Sequence, residues 1–323
     1  MSSDFETVAA TELHTATRGP QGEPNAPGQP HTMETQKPRS AGADAWRELR
    51  RKPLFWIGVA IAAVVVVMAA FPSLFTSADP TVCPLSRRMG GPSGEAIFGY
   101  DVQGCDVFAK AVYGTKNSVM IGGGAALLAG VVGMLLGLTA GFFGSWWDGI
   151  VSRIIDIVLG LPLLLAGIVF MKRVSNAGGG ETARIVALIA ILGLLGWTTA
   201  ARVIRASVIT AKQQDYVQAA RMLGAGNGRI MWRHILPNAI APFTVIITMA
   251  LGAFIAAEAT LSFLGVGLVP PSQSWGLAIS EANPYKREDF VPLLVPSAFL
   301  ALTVLAFIIL GDTIREAFDP KLR

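Results

Sequence analysis

Residues 118–143 contain no charged side chain, and that run fixes the solvent this chain folds in. An α-helix needs only about 20 mostly apolar residues to cross ~30 Å of hydrocarbon. Five further stretches meet the same test: residues 54–74, 154–171, 185–204, 239–264 and 291–310. Composition agrees. Hydrophobic residues make up 52% of the 323-residue chain and charged residues 15%, against about a quarter charged in soluble domains. Mean hydropathy is +0.51. The sequence therefore predicts an all-α polytopic membrane protein with six transmembrane helices. The net charge of +4 is spread between apolar runs. That is not the clustered basic face of a nucleic-acid binder, so no nucleic-acid partner is expected.

Residues 1–45 hold no apolar signal-like core and are rich in Pro, Gly, Thr, Gln and Glu. Such a segment buries too little apolar surface to offset its ordering entropy, and it reads as a disordered cytoplasmic tail. Residues 46–114 read as a first span with an extracytoplasmic loop, and 115–323 as the membrane core. Orientation follows from basic residues in the short loops. Arg47, Arg50, Arg51 and Lys52 precede the first span, and Arg202, Arg205, Lys212, Arg221, Arg229 and Arg233 lie around the loop between spans four and five. Arg315, Lys321 and Arg323 close the chain. All fall on one face if both termini are cytoplasmic. Within the second span, Gly133, Gly137 and Gly141 repeat every four residues. Such a ridge lets a neighbouring helix approach closely.

The loop at 205–238 is long for a membrane protein. Tyr216, Val217, Ala220 and Leu223 form one apolar stripe at helical spacing. Gly224 and the run Gly226-Asn227-Gly228 are expected to break that helix, and Pro237 to end a second short one. A helix–turn–helix projecting from the bilayer is a candidate docking element.

Gln218-Ala219-Ala220, then Gly224-Ala225 and Leu236-Pro237, resembles the EAA signature of ABC importer permeases, with Gln218 where the family has Glu. The ending His234-Ile235-Leu236-Pro237-Asn238 resembles the dipeptide/oligopeptide/nickel branch. Phe98-Gly99-Tyr100-Asp101, followed by Gly104-Cys105-Asp106, is similar to the segment before span two in C-type permeases, with Cys105 where Arg is usual. The runs around Ala140–Pro162, Glu258–Gly276 and Leu310–Arg323 resemble the family as well. The likeness covers roughly residues 46–323.

The resemblance implies a type I, methionine-importer-like core with an extra N-terminal helix. It also implies a role for Gln218, Ala219, Ala220, Gly224, Ala225, Leu236 and Pro237 in coupling to cytoplasmic ABC ATPase subunits. Further implied partners are a B-type permease subunit, an extracytoplasmic substrate-binding protein and a peptide substrate. ATP and Mg would be bound by the ATPase partners, with no cofactor or metal in this chain. Alternating access would move the peptide inward.

Three polar features fall within or beside the spans. Glu258 either contacts the translocated peptide or holds a helix or loop. Arg153 and Asp156, three residues apart, could pair across one helical turn. Cys83 and Cys105 share one loop on the oxidising side, so a disulfide is expected there. There is no P-loop, no HExxH and no GxSxG, so the chain itself is not expected to be an enzyme. Import of nickel or another small cargo is the alternative to peptide, and a secondary transporter the more distant one.

Overall fold

The structure, a computed structural model, describes residues 41–318, with side chains from Ala45 onward. The expected tail falls outside the described residues except at its end. There a helix, α1, already begins at Ala41 and runs to Arg51. Lys321 and Arg323 also lie outside the described residues.

Ten more α-helices follow among the described residues. They are α2 (Pro53–Ala70), α3 (Val107–Phe143), α4 (Ser145–Leu159), α5 (Leu163–Asn176), α6 (Glu181–Lys212) and α7 (Asp215–Met222). Then come α8 (Asn227–Ile230), α9 (Leu236–Phe263), α10 (Trp275–Ala282) and α11 (Val291–Phe318). Five elements are long and apolar enough to span a bilayer: α2, α3, α6, the continuous α8–α9 segment and α11. The bundle has a basal end, where Lys52 meets Glu316 and Lys212 meets the carbonyl of Phe142. At its distal end Lys110 meets Glu281.

The third span differs from expectation. The window 154–171 is not one helix but the junction of α4 and α5, which meet at 80°. Pro162 lacks an N–H and disfavours the helical conformation at Leu161, so the helix stops at Gly160 and restarts beyond. Counting apolar residues cannot see this, because Gly160-Leu161-Pro162 is as apolar as its surroundings.

At the centre, α3 and α6 lie against each other along the glycine ridge. A Cβ on Gly133 would stand 2.7 Å from Ala200 Cβ, one on Gly137 2.5 Å from the Ala201 carbonyl, and one on Gly141 2.9 Å from the Arg205 carbonyl. Backbone meets backbone, so the ridge serves helix packing. Ile121, Leu188, Leu192 and Trp197 are buried beside it. α2 leans on α11, with Gly58 facing Leu310.

Candidate functional site

At the basal end the 205–238 loop is braced from below. Val217 of α7 is buried with Leu138, Phe142, Ile204, Val208, Ile230 and Ile235. Asn238 Nδ2 donates to the Tyr216 hydroxyl at 2.9 Å, tying α7 to the start of α9. Lys212 Nζ donates to the Phe142 carbonyl at 2.6 Å and caps the end of α3. Arg205 grips Asp148 of α4 with two guanidinium nitrogens, one of them at 2.6 Å from Oδ2. The loop is thus a fixed platform.

α7 ends in a Schellman turn. Ala225 N–H donates to the Ala220 carbonyl and Gly224 N–H to the Arg221 carbonyl, both at 3.0 Å. Gly224 sits at φ +79° with open space around it, a conformation glycine adopts without penalty. Only part of the expected stripe is covered: Val217 and Ala220 are buried, while Tyr216 and Leu223 are exposed. Met222 and Leu223 are each 87% exposed at the tip. Gln218 and Ala219 lie on the outward side of α7, Ala225 and Leu236 are half-buried, and Pro237 is exposed.

Two local expectations need correction. Asn227 and Gly228 do not form the turn but begin α8, with Gly226 as N-cap. Pro237 does not end the second helix. A π-helical turn over Met231–Ile235 widens the ladder just ahead of it. The proline then falls in the first turn of α9, where its missing N–H does no harm.

The distal end holds a second polar constellation. Glu258 is fully buried. Its carboxylate accepts from Ser118 Oγ of α3 at 3.0 Å and from Ser262 Oγ at 2.8 Å. Each serine oxygen in turn accepts a backbone N–H, Trp275 at 3.2 Å on Ser118 and Leu268 at 3.1 Å on Ser262. Trp275, itself buried, donates its indole N–H to the Ala111 carbonyl at 2.9 Å. One carboxylate therefore fastens the 264–275 loop and α10 onto α3 and α9. Asp156 does not pair with Arg153. It turns to Arg202 of α6 at 3.1 Å, while Arg153 is exposed.

Sequence reasoning missed a third cluster. Lys110, in the first turn of α3, lies 2.7 Å from Asp101 and 2.6 Å from Glu281 of α10. The lysine and aspartate side chains are 6% and 9% exposed. Asp101 also accepts the backbone N–H of Gln103 and Cys105. The disulfide forms between Cys83 and Cys105, closing the same loop. Further out, Glu95 at 2.8 Å raises the pKa of Arg87 by its charge, and the Tyr100 hydroxyl adds to this. The only sequence signal for the Lys110 cluster was Asp101, within the segment that resembles C-type permeases.

Five helices long and apolar enough to cross a bilayer, a bent pair that could make a sixth span, and a braced helical platform at one end define a multi-pass membrane subunit. The chain belongs to the family described as "Binding-protein-dependent transport system inner membrane component", which matches over residues 133–323. Residues 40–87 match the N-terminal TM domain of oligopeptide transport permease C. It is a C-type permease subunit of an ABC importer and a multi-pass inner membrane protein, not an enzyme in its own right. The core is of type I with α1 and α2 added before it.

Among its relatives is a dipeptide transport system permease protein of Alkalihalophilus pseudofirmus, 34% identical over 93% of this chain and 96% of the relative. An oligopeptide transport system permease protein of Bacillus subtilis is 33% identical over 90% and 92%. A glutathione transport system permease protein of Pectobacterium atrosepticum is 37% identical over 73% and 76%. A crystal structure of an amino acid ABC transporter with histidines overlaps 63% of this chain and 91% of that one. Its TM-score of 0.46 at 20% identity is too loose to argue from.

Proposed function

We propose that this subunit carries peptides across the inner membrane by alternating access, driven by ATPase subunits seated on the 205–238 platform. The observation that carries the reading is the tip of α7. Two large apolar side chains, Met222 and Leu223, stand almost fully exposed on a helix whose root is locked by the Tyr216–Asn238 bond and by buried Val217. A monomer gains nothing by presenting them in water. A groove in a partner gains their burial, about 1.5–3 kcal/mol for each. Gln218, Ala219, Ala220, Gly224 and Ala225 form the body and turn of that element, and Leu236 and Pro237 its anchor.

The basal end is then cytoplasmic. Arg47, Arg50, Arg51, Arg205, Lys212, Arg221, Arg229 and Arg233 cluster towards it, as the charge rule for cytoplasmic loops requires. The Cys83–Cys105 disulfide belongs to the opposite, oxidising side. A B-type permease would complete the pore, and an extracytoplasmic binding protein would deliver peptide to the distal loops, including 267–275. ATP and Mg would stay with the ATPase subunits. Glu258, and with it the Asp156–Arg202 pair, would serve to hold helices and loops in register.

The test is uptake of a labelled dipeptide by the reconstituted importer. Leu223→Asp puts a charge into the docking groove. Gly224→Asp strains the left-handed turn. Each is expected to leave the subunits folded but to abolish ATP-dependent uptake. Normal uptake by either assembled variant would sink the docking reading, and uptake of nickel in place of peptide would replace the cargo.

A further inference from the structure

Between α4 and α5 the third span is not helical, and Gly160, Leu161 and Pro162 are all exposed. Read as one broken span, α4 and α5 put this break within the bilayer, since the 14 residues of α5 measure only about 21 Å. Irregular backbone at this depth is tolerated only against protein or along a water-filled cavity. From the break a groove of about 950 Å³ opens between α5 and α6. It runs from Leu161 and Pro162 past Leu165 and Val169 to Lys172 and Arg173. Its walls are apolar, no carboxylate lines it, and both of its cations sit at the distal end. Neither cationic side chain has an ion-pair or hydrogen-bond partner among the described residues.

We propose that Lys172 and Arg173 receive the C-terminal carboxylate of the transported peptide as it enters this groove. The proposal rests on the peptide reading above. Peptides differ in their side chains but share a terminal carboxylate. Apolar walls are non-directional and admit many side chains, while a pair of cations selects the shared charge and repels a terminal amine. Unpaired cations at a mouth also raise the local concentration of an anionic group before it enters.

The experiment uses the whole importer, with its partner subunits and binding protein, in proteoliposomes. The probe is a labelled peptide carrying a benzophenone on its C-terminal residue. Failure of the wild-type importer to take up any peptide, while it hydrolyses ATP, would overturn the peptide reading itself. Given uptake, photocrosslinks on residues 161–176 of this chain are expected. Crosslinks confined to other helices or other subunits would overturn the groove. The double variant Lys172→Glu, Arg173→Glu should lower uptake by at least about tenfold, since both charge contacts are lost and reversed and about 1.4 kcal/mol already makes tenfold. The swap Lys172→Arg, Arg173→Lys should stay within about twofold, since the charges remain. Unchanged uptake by an assembled, ATP-hydrolysing double variant would refute the role of the cations. If that variant does not assemble, the crosslink position on the wild type decides.

Discussion

Replacing Glu258 by alanine removes the acceptor of two buried hydrogen bonds at once. Ser118 and Ser262 lose their carboxylate partner, and both hydroxyls stay buried beneath α10 and the 264–275 loop. A buried polar group left unpaired costs about 1–3 kcal/mol. Each serine still accepts a backbone N–H, so each is only partly orphaned and the lower half of that range applies. The two together, with the small cavity, come to about 2–4 kcal/mol. Glu258→Gln keeps the volume and one acceptor oxygen, and its amide can donate to a serine oxygen with a free lone pair. It should cost no more than about 1 kcal/mol.

The assay is thermal unfolding of the purified complex in detergent, with limited proteolysis of the distal loop. At about 2–4 °C for each kcal/mol, Glu258→Ala should lower Tm by roughly 4–16 °C and open residues 264–275 to protease. Glu258→Gln should stay near wild type. An alanine variant with unchanged Tm and unchanged cleavage would refute the node. A glutamine variant with normal stability but no uptake would instead make Glu258 part of the path.

Three other outcomes follow from the same geometry. Gly137→Ala drives a Cβ to 2.5 Å from the Ala201 carbonyl and should destabilise by about 1–3 kcal/mol. Gly123→Ala, with nothing within 4 Å, should be neutral or slightly stabilising, and equal Tm values for the two would contradict the α3–α6 contact. Lys110→Ala strands Asp101 and Glu281 and should cost about 3–5 kcal/mol, whereas Glu316→Ala, from a half-exposed pair with Lys52, should cost under about 1 kcal/mol. Denaturant titration ranks them, and the reverse order would be fatal to the argument. Cys83→Ala with Cys105→Ala opens a loop with a sequence separation of 22 and should cost about 3 kcal/mol. Non-reducing gels check that the bond was present, and an unchanged unfolding midpoint would contradict its role.

Much of this molecule is written locally. The charge-free stretch at 118–143 is a helix because nothing in it can leave lipid. The disulfide was foreseeable because both cysteines fall in one loop on one side of the bilayer. What stayed hidden depends on partners far along the chain. Arg153 and Asp156 share a helix face, yet Asp156 finds Arg202, 46 residues away. Lys110 looks like a solvated loop cation until α10 brings Glu281 beside it. Pro162 and Pro237 carry the same local message, but only Pro162 breaks its helix. At Pro237 a π-turn absorbs the missing donor, and nothing in the apolar pattern announces it. Whether Glu258 meets peptide or loop was undecidable from residue type, because it turns on where Ser118, 140 residues earlier, comes to lie.

The most direct test of the central claim is affinity purification of this chain from its native membrane in mild detergent, with its companions identified by mass spectrometry. ATPase subunits, a second permease and an extracytoplasmic binding protein should come with it, and Leu223→Asp should release the ATPase subunits while keeping the second permease. Repeated recovery of the folded chain alone would contradict the account and point to a secondary transporter.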